Sequence, residues 1–386
     1  MKRGSLKHLA ERAIHDAHSS LRRPPAMISS DEKSGGECHL LVEAGSASVM
    51  LDDECVFHVM DLPPSITRWS KACCHIFRDA HVVGDQGHVF TSNGSFVNLC
   101  PSFARLDPAK IRHPIPIMAK RLEGPVFHLT GRDHENHGHF LMQHLPRLMA
   151  ASSFLEANRL TPTILTATGH EKWQGRYLGT LGDLGAKVAP CRKGTLSVPH
   201  LIYVPMLWQE GYLGPPIYYQ QMQRYFRAFA GVSDAAPPSG RPVFVTRRDA
   251  PTRRLANETE ILAVCRERLG EIDVVDLPKT PFLEQIRRFA DAPLVIGPQG
   301  QGLTNIIFSR QSRLLILEAG TSPVTHGWVN AYRDFACMTG NSALRLFSGL
   351  PWPDDGDWLF PAEEFRRQLD RVVSLGLHEH RPARLL

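Results

Sequence analysis

Two groups of residues in this 386-residue chain could do chemistry. The first is the glycine-rich stretch Gly297-Pro298-Gln299-Gly300-Gln301-Gly302, which follows an apolar run at 293–296 and precedes a helix-like segment at 303–308. A buried strand, a glycine turn and a helix in this order leave backbone N–H groups at the positive end of the helix dipole. The stretch therefore predicts a phosphate or pyrophosphate site, although it lacks the third glycine of the dinucleotide fingerprint.

The second group is a set of histidines between positions 128 and 144, with Asp133 and Glu135 among them. The histidines are His128, His134, His137, His139 and His144. Helical spacing would place His139, Gln143 and Arg147 on one face. Because a neutral imidazole can accept a proton near neutral pH, His139 is our candidate general base, with Asp133 and Glu135 as fallbacks. We expect structural roles for His128, His134 and His144.

The C-terminal half alternates strand-like and helix-like segments. Strands are predicted at 243–246, 272–275, 293–296, 314–317 and 344–347. One helix would begin at Asn257, with Glu260 completing a capping box, and another at Pro281. This alternation is typical of a doubly wound parallel sheet, in which ligands bind at the carboxyl ends of the strands. Arg247, Gln299 and Glu318 follow or close three of these strands.

Several motifs then occur in one order. They are Thr246-Arg247-Arg248, Arg253-Arg254-Leu255-Ala256-Asn257-Glu258, Gln285-Ile286, the loop from Gly297 to Asn305, and Leu317-Glu318, preceded upstream by Asn136-His137-Gly138-His139-Phe140-Leu141 and Leu145-Pro146-Arg147-Leu148. In this order and spacing they resemble the motifs of glycosyltransferase family 61, over residues 126–347. Two positions depart from the family pattern: Gln299 replaces the histidine of the loop, and Gln143 stands where an acidic residue is usual.

The resemblance implies a GT-B-like α/β fold, with two Rossmann-like lobes facing a cleft and a small β-rich N-terminal region. It implies an inverting hexosyl- or pentosyltransferase that needs no metal ion or other cofactor. The partners would be a nucleotide-sugar donor, for which we expect UDP as the nucleotide, and a glycan or polysaccharide acceptor. Arg247 and Arg253 would bind the diphosphate, with Arg254 as an alternate. The remaining expected substrate-binding residues are Asn136, Arg147, Gln299, Gly300, Gln301, Gly302, Leu303, Thr304, Asn305 and Glu318.

Length and composition fit a chain of two globular domains, with 42% hydrophobic and 22% charged residues. We expect a basic tail or helix at 1–36 and an acceptor-side lobe at 37–234. A Pro/Gly linker at 235–240 would lead to a nucleotide-sugar-binding lobe at 241–350 and a C-terminal extension at 351–386. The eight cysteines show no metal-ligand spacing.

The mild net charge of +5 and the absence of zinc-finger or helix-turn-helix patterns argue against a nucleic-acid partner. No apolar run is long enough to span a membrane, and no secretory signal is recognisable. We expect a cytoplasmic protein, and the basic amphipathic N-terminus offers peripheral contact with the inner face of a membrane as an alternative.

Two other functions stay open at this point. One is a metal-dependent hydrolase, in which His137, His139 and Asp133 would hold zinc. The other is a non-catalytic nucleotide-sugar or glycan-binding protein, which the departures at Gln299 and Gln143 favour.

Overall fold

The computed structural model describes residues 27–28, 37–42, 45–49, 65–69, 72–97, 114, 116–166, 171–191, 194–208, 213–233, 237–320, 331–351 and 356–376. The chain divides into two compact units. Unit 1 comprises Met1–Ala44 and Ser70–Trp208, and unit 2 comprises Gly45–Trp69 and Gln209–Leu386. The change of unit after Trp208 comes upstream of the predicted linker. The predicted basic helix near the N-terminus lies outside the described residues.

The strands are, in chain order, β1 (Met27–Ile28), β2 (Glu37–Val42), β3 (Gly45–Val49), β4 (Ser65–Trp69), β5 (Ala72–Val83), β6 (His88–Phe90), β7 (Phe96–Val97), β8 (Lys120–Arg121), β9 (Pro125–His128), β10 (Thr163–Thr166), β11 (Lys187–Pro190), β12 (Thr195–Tyr203), β13 (Val243–Val245), β14 (Asp273–Val275), β15 (Leu294–Pro298), β16 (Arg313–Glu318) and β17 (Ser342–Phe347).

The first long helix, α1, has three consecutive segments: an α-helical turn at His137–His139, a π-helical segment at Phe140–His144 and an α-helix at Leu145–Ala157. The other α-helices are α2 (Glu171–Leu178), α3 (Pro216–Phe229), α4 (Glu258–Leu269), α5 (Phe282–Asp291), α6 (Ala331–Met338) and α7 (Ala362–Ser374). Shorter 3-10 helices lie at Pro116–Met118, Gly179–Gly185 and Gln301–Phe308.

Unit 1 is built on one mixed sheet, ordered β1-β7-β6-β5-β12-β9-β10-β11, with β2 added on β5 and β8 on β12. Strands β12, β9, β10 and β11 are parallel. The long strand β5 pairs antiparallel with β12, from Val83 opposite Thr195 to His75 opposite Tyr203. Strands of the predicted β-rich region and of the α/β region that follows it therefore share one sheet.

Unit 2 contains the predicted parallel sheet. All five expected strands are present, within two residues of the predicted bounds, in the order β14-β13-β15-β16-β17. Each neighbouring pair is parallel. Every residue of β15 and β16 is buried, as expected for strands covered on both faces. The sequence prediction of a mixed α/β fold with parallel sheets is confirmed.

The region after 350, expected as an extension, contributes to the core of unit 2. Helix α7 packs on α4, and its Phe365, Leu369 and Val372 belong to the main hydrophobic cluster of this unit. The predicted capping box before α4 is wrong. The Asn257 side chain instead exchanges hydrogen bonds with the backbone of Phe360, at 2.8 and 3.2 Å, so it joins two segments rather than capping the helix.

Candidate functional site

The chain reverses its direction of travel across the sheet of unit 2 between β13 and β15. It leaves β13 for β14 on one side and then returns to β15 on the other. In doubly wound sheets of this order, ligands bind at the carboxyl ends of the strands at such a switch point. The residues that follow β13 and β15 are Thr246-Arg247 and Gln299-Gly300. Arg247, Gln299 and Gly300 therefore lie at the position where a ligand is expected.

Arg247 lies directly against Gly300. A methyl group added at Gly300 would come within 2.0 Å of Arg247 Nη1, so a side chain at this position would displace the guanidinium. The Arg247 backbone N–H donates to Glu258 Oε2 at 3.1 Å, and its Nη2 donates to the Thr252 carbonyl at 3.1 Å. Its Nε is buried and has no hydrogen-bond partner among the described residues. Arg247 is thus held in place while its buried Nε–H has no acceptor among the described residues.

The cluster of arginines around β13 separates into two kinds. Three of its members are paired with carboxylates: Arg241 with Glu271, Arg248 with Glu258, and Arg254 with Asp357. Arg247 and Arg253 have no carboxylate partner within the described part of the chain. Burial and the positive charge of Arg253 both lower the pKa of Arg247. Arg253 also has a positive φ of 55°, which is uncommon for a residue with a side chain.

This distribution of charge leaves two neighbouring guanidiniums uncompensated at the carboxyl edge of the sheet. Such a pair suits a ligand with several anionic oxygens, because guanidinium forks match phosphate geometry. Arg254, the predicted alternate, is instead held by Asp357 through Nε at 2.9 Å and Nη2 at 2.6 Å.

Gln299 is 5% exposed, and neither its Oε1 nor its Nε2 has a hydrogen-bond partner among the described residues. Its backbone N–H is used, since it donates to the Leu317 carbonyl at 2.8 Å. A buried side-chain amide without partners costs stability, so such a group requires an explanation.

Tyr332, on α6, was not singled out from the sequence, because it lies in no motif. Its electrostatic neighbours include Arg247, Arg253 and Glu318. Burial raises the pKa of the Tyr332 phenol, and the two arginines oppose this shift. A protonated hydroxyl therefore lies near the two uncompensated guanidiniums.

Glu318 is 1% exposed and forms a buried ion pair with Arg345, whose Nε donates to Oε1 at 2.7 Å and whose Nη2 donates to Oε2. Burial raises the pKa of Glu318, and the charge of Arg345 opposes the shift. These contacts give the carboxylate a structural partner, and its expected contact with a ligand hydroxyl stays a prediction.

The rest of the glycine loop continues into the 3-10 helix Gln301–Phe308. Leu303 is buried, the Thr304 hydroxyl donates to the Gln301 carbonyl at 2.7 Å, and the Asn305 amide donates to Gln285 at 3.1 Å. These side chains have partners inside the protein, so a ligand contact from them would involve the backbone. Gln301 itself is exposed.

Gly302 has a packing role. A methyl group there would lie 2.6 Å from Leu277 Cδ1 and 3.1 Å from Val245 Cγ1. The glycine thus lets the 3-10 helix pack closely on β13 and on Leu277.

In unit 1, His139 lies in the first turn of α1. The Asn136 side chain, predicted to bind substrate, caps this turn by accepting from the backbone N–H groups of Gly138 and His139, at 2.9 and 3.2 Å. His139 Nδ1 lies 2.8 Å from Gln143 Oε1. Because an amide oxygen only accepts, Nδ1 carries the hydrogen and the lone pair of this imidazole is on Nε2. His139 is partly exposed, so this tautomer suits it to accept a proton.

Arg147 is 2% exposed and donates to the carbonyls of Val204, Thr130 and His128 at 2.6, 3.0 and 2.8 Å. It follows the π-helical segment, in the first turn of the α-helix that continues α1. These contacts give Arg147 partners inside the protein, and its expected contact with a substrate stays a prediction.

Three neighbouring histidines are buried and hydrogen-bonded, as expected. His128 Nε2 donates to the Gly87 carbonyl at 2.7 Å, and His144 Nε2 donates to the Arg132 carbonyl at 3.1 Å. His134 Nδ1 accepts from the Gly131 N–H at 3.0 Å. Burial, followed by the charge of Arg147, lowers the pKa of His128 to about 3 and that of His144 well below 6.5.

The ligand set required by the hydrolase hypothesis is not assembled. His137 Nε2 is 2.7 Å from the Tyr177 hydroxyl. Asp133 is exposed, with a positive φ of 58° and an ion pair to Arg132, and Glu135 is exposed. Across the described ranges, no group of three or more His, Cys, Asp or Glu residues is arranged to hold a metal ion.

Residues 137–316 match the family model described as Glycosyltransferase 61. The matched segment runs from the first turn of α1 to Ile316 within β16, so it contains His139, the arginine cluster and the glycine loop. No curated protein matches the chain significantly. Within the described residues, no helix is both long and apolar enough to cross a membrane.

Proposed function

We propose, from the match of residues 137–316 to the model described as Glycosyltransferase 61, that the chain is a member of this family and transfers a sugar from a nucleotide-diphosphate sugar to a glycan or polysaccharide acceptor. The observation that carries this proposal is the pair of guanidiniums, Arg247 and Arg253, which have no carboxylate partner in the described chain and lie at the carboxyl edge of a parallel sheet. Such a site matches the diphosphate of the donor.

The same two arginines support a reaction without a bound metal ion. When the glycosidic bond to the diphosphate breaks, negative charge develops on the leaving oxygen. Fixed positive groups stabilise this charge in place of a divalent cation. Arg247 and Arg253 supply two such charges, and the Tyr332 hydroxyl is close enough to interact electrostatically with both.

The proposed general base is His139. Its Nε2 would take the proton of the acceptor hydroxyl as the oxygen attacks the anomeric carbon from the face opposite the diphosphate, which inverts the configuration. Gln143 supports this role, because its amide oxygen holds the Nδ1–H tautomer at 2.8 Å. Asp133 and Glu135 stay as fallback bases.

A non-catalytic nucleotide-sugar-binding protein is the second candidate, since Gln299 occupies the position of the histidine in the family loop. It differs from the transferase in one respect: it would bind the donor without turnover.

The donor site is tested by calorimetry with UDP. We expect Arg247→Ala to weaken binding by about 1.5–3 kcal/mol, roughly 10- to 150-fold, because a charge-assisted hydrogen bond is lost. The matched control is Arg241→Ala, which removes the same charge from the amino end of the same strand, where Arg241 is exposed and paired with Glu271.

We expect the Arg241→Ala protein to bind UDP nearly as tightly as the wild type. Equal losses in the two variants would indicate a general effect of net charge and would contradict a specific site. Unchanged affinity in a folded Arg247→Ala protein would exclude Arg247 as a diphosphate ligand.

A further inference from the structure

The buried amide of Gln299 needs both a hydrogen-bond donor and an acceptor, which a diphosphate cannot provide. A side-chain amide presents a hydrogen-bond acceptor, Oε1, beside a donor group, Nε2, in one plane. Both atoms are buried and without partners within the described residues. Phosphate oxygens only accept hydrogen bonds. A phosphate at this position would therefore accept from Nε2 but would repel Oε1.

The residues next to Gln299 also indicate that its amide binds a group other than the phosphate. Arg247, whose guanidinium lies against the adjacent Gly300, is a donor only and is suited to the phosphate oxygens. The group that Gln299 meets must both donate and accept, and it must be neutral. Neighbouring hydroxyl groups have this character, because each hydroxyl carries one donor and two lone pairs.

The distance along the chain limits where those hydroxyls are. Gln299 and Gly300 are consecutive, so their Cα atoms are about 3.8 Å apart. In a ligand whose diphosphate lies at Arg247, the amide is therefore close to the parts that are bonded directly to the diphosphate. In a nucleotide sugar these parts are the transferred sugar on one side and the ribose on the other.

We propose that Gln299 is a specificity-determining residue that binds neutral, neighbouring hydroxyl groups of the donor next to its diphosphate. This inference rests on the proposed function and adds which chemical groups of the donor the site would prefer. A donor that presents a carboxylate at this position, as a uronic acid would, is disfavoured because its oxygens face Oε1.

A second consequence concerns the protein without ligand. Because the Gln299 amide has no partners to lose, replacing it with an apolar side chain of similar size leaves no other polar group unsatisfied. Gln285 offers a matched control in the same unit. It is similarly buried, at 7% exposed, and its amide donates to the carbonyls of Leu277 and Thr280, both at 2.8 Å, and accepts from Asn305 at 3.1 Å.

The experiment compares Gln299→Leu with Gln285→Leu, and includes Gln299→Met as a second, unbranched variant. In urea unfolding, we expect both Gln299 variants to keep or raise the wild-type midpoint and Gln285→Leu to lower it. A midpoint that falls in the Gln299 variants as far as in Gln285→Leu would show that the amide is bonded within the protein, and would overturn the inference.

Binding is measured with UDP-glucose, UDP-glucuronic acid, UDP and 2′-deoxy-UDP. If Gln299 contacts the transferred sugar, its variants should bind UDP-glucose about 5- to 30-fold more weakly than the wild type and bind UDP with unchanged affinity. They should also lose the preference for UDP-glucose over UDP-glucuronic acid. If it contacts the ribose, they weaken UDP by the same factor and remove the preference for UDP over 2′-deoxy-UDP.

Either pattern supports the inference and identifies the source of the hydroxyls. Wild-type affinity of the Gln299 variants for all four ligands would overturn the inference while leaving the proposed function intact. Failure of the wild-type protein to bind any of them would instead remove the proposed donor site, and this inference with it.

Discussion

We expect acidification to lower the free energy of unfolding of unit 1 more than that of unit 2. The described histidines all belong to unit 1, whereas the described part of unit 2 contains none. His128 and His144 are 1% and 0% exposed, and burial followed by the Arg147 charge lowers both pKa values, that of His128 to about 3. The His128 imidazole therefore stays neutral in the folded protein at pH 5, where it is charged in the unfolded chain. The pKa of His144 is shifted in the same direction.

The sign and size of the effect follow from proton linkage. Below the unfolded pKa of about 6.5 the unfolded state binds more protons, so the free energy of unfolding falls as the pH falls. Between pH 7 and pH 5 His128 alone removes about 2 kcal/mol, and the shift of His144 adds to this loss. That is a large part of the 5–15 kcal/mol typical of a folded domain.

Hydrogen exchange between pH 7 and pH 5, corrected for the intrinsic pH dependence of exchange, measures this prediction. The amides of β9 and β12 should lose protection, while those of β13 and β15 change little. His128→Gln is the matched variant, because an amide can still donate to the Gly87 carbonyl but does not titrate, and it should reduce the loss by about 2 kcal/mol. Equal acid sensitivity in both units, or full protection of β9 at pH 5, would refute this reasoning.

Two further predictions assign different roles to Gly300 and Gly302, the first in ligand binding and the second in packing. Gly300→Ala should weaken UDP binding by about tenfold or more with little loss of stability, because its methyl group displaces the guanidinium of Arg247, as calorimetry and urea unfolding would show. Gly302→Ala should lower the urea midpoint, because its methyl group meets Leu277 and Val245 inside the packed unit. A Gly302→Ala protein of wild-type stability with strongly reduced affinity would instead assign the ligand contact to Gly302.

The sheet of unit 2 was predictable because its strands are covered on both faces. Such strands appear in the sequence as short apolar runs between turn residues. Leu314-Leu315-Ile316-Leu317 in β16 is an example. The carboxyl-edge position of Arg247 and Gln299 followed from the same pattern, since ligands bind at that edge.

The sequence predictions were wrong where a contact with a distant part of the chain replaced the local interaction that the sequence pattern indicates. Asn257 precedes a helix and has a glutamate three residues later, yet the backbone of Phe360, more than 100 residues away, takes its amide. The carbonyls that accept from Arg147 lie 17 to 57 positions away along the chain, so its buried site could not be predicted from the local pattern.

Which arginine of the cluster is uncompensated also depends on distant carboxylates. Arg254 is paired with Asp357, which lies 103 positions further along the chain. The sequence therefore predicted the cluster and its place at the sheet edge, while the structure distinguishes its members.

The most direct test of the account is the rate at which the protein releases UDP from a UDP-sugar in the presence of a glycan acceptor, measured for the wild type and His139→Ala. If His139 is the general base, the variant should lose roughly 10²–10⁴-fold in turnover. Its affinity for the donor should hardly change, because Arg247 and Arg253 belong to the other unit. Donor binding without any turnover by the wild type would contradict the account and favour a binding protein, and near-parental turnover by a folded His139→Ala protein would transfer the role of base to Asp133 or Glu135.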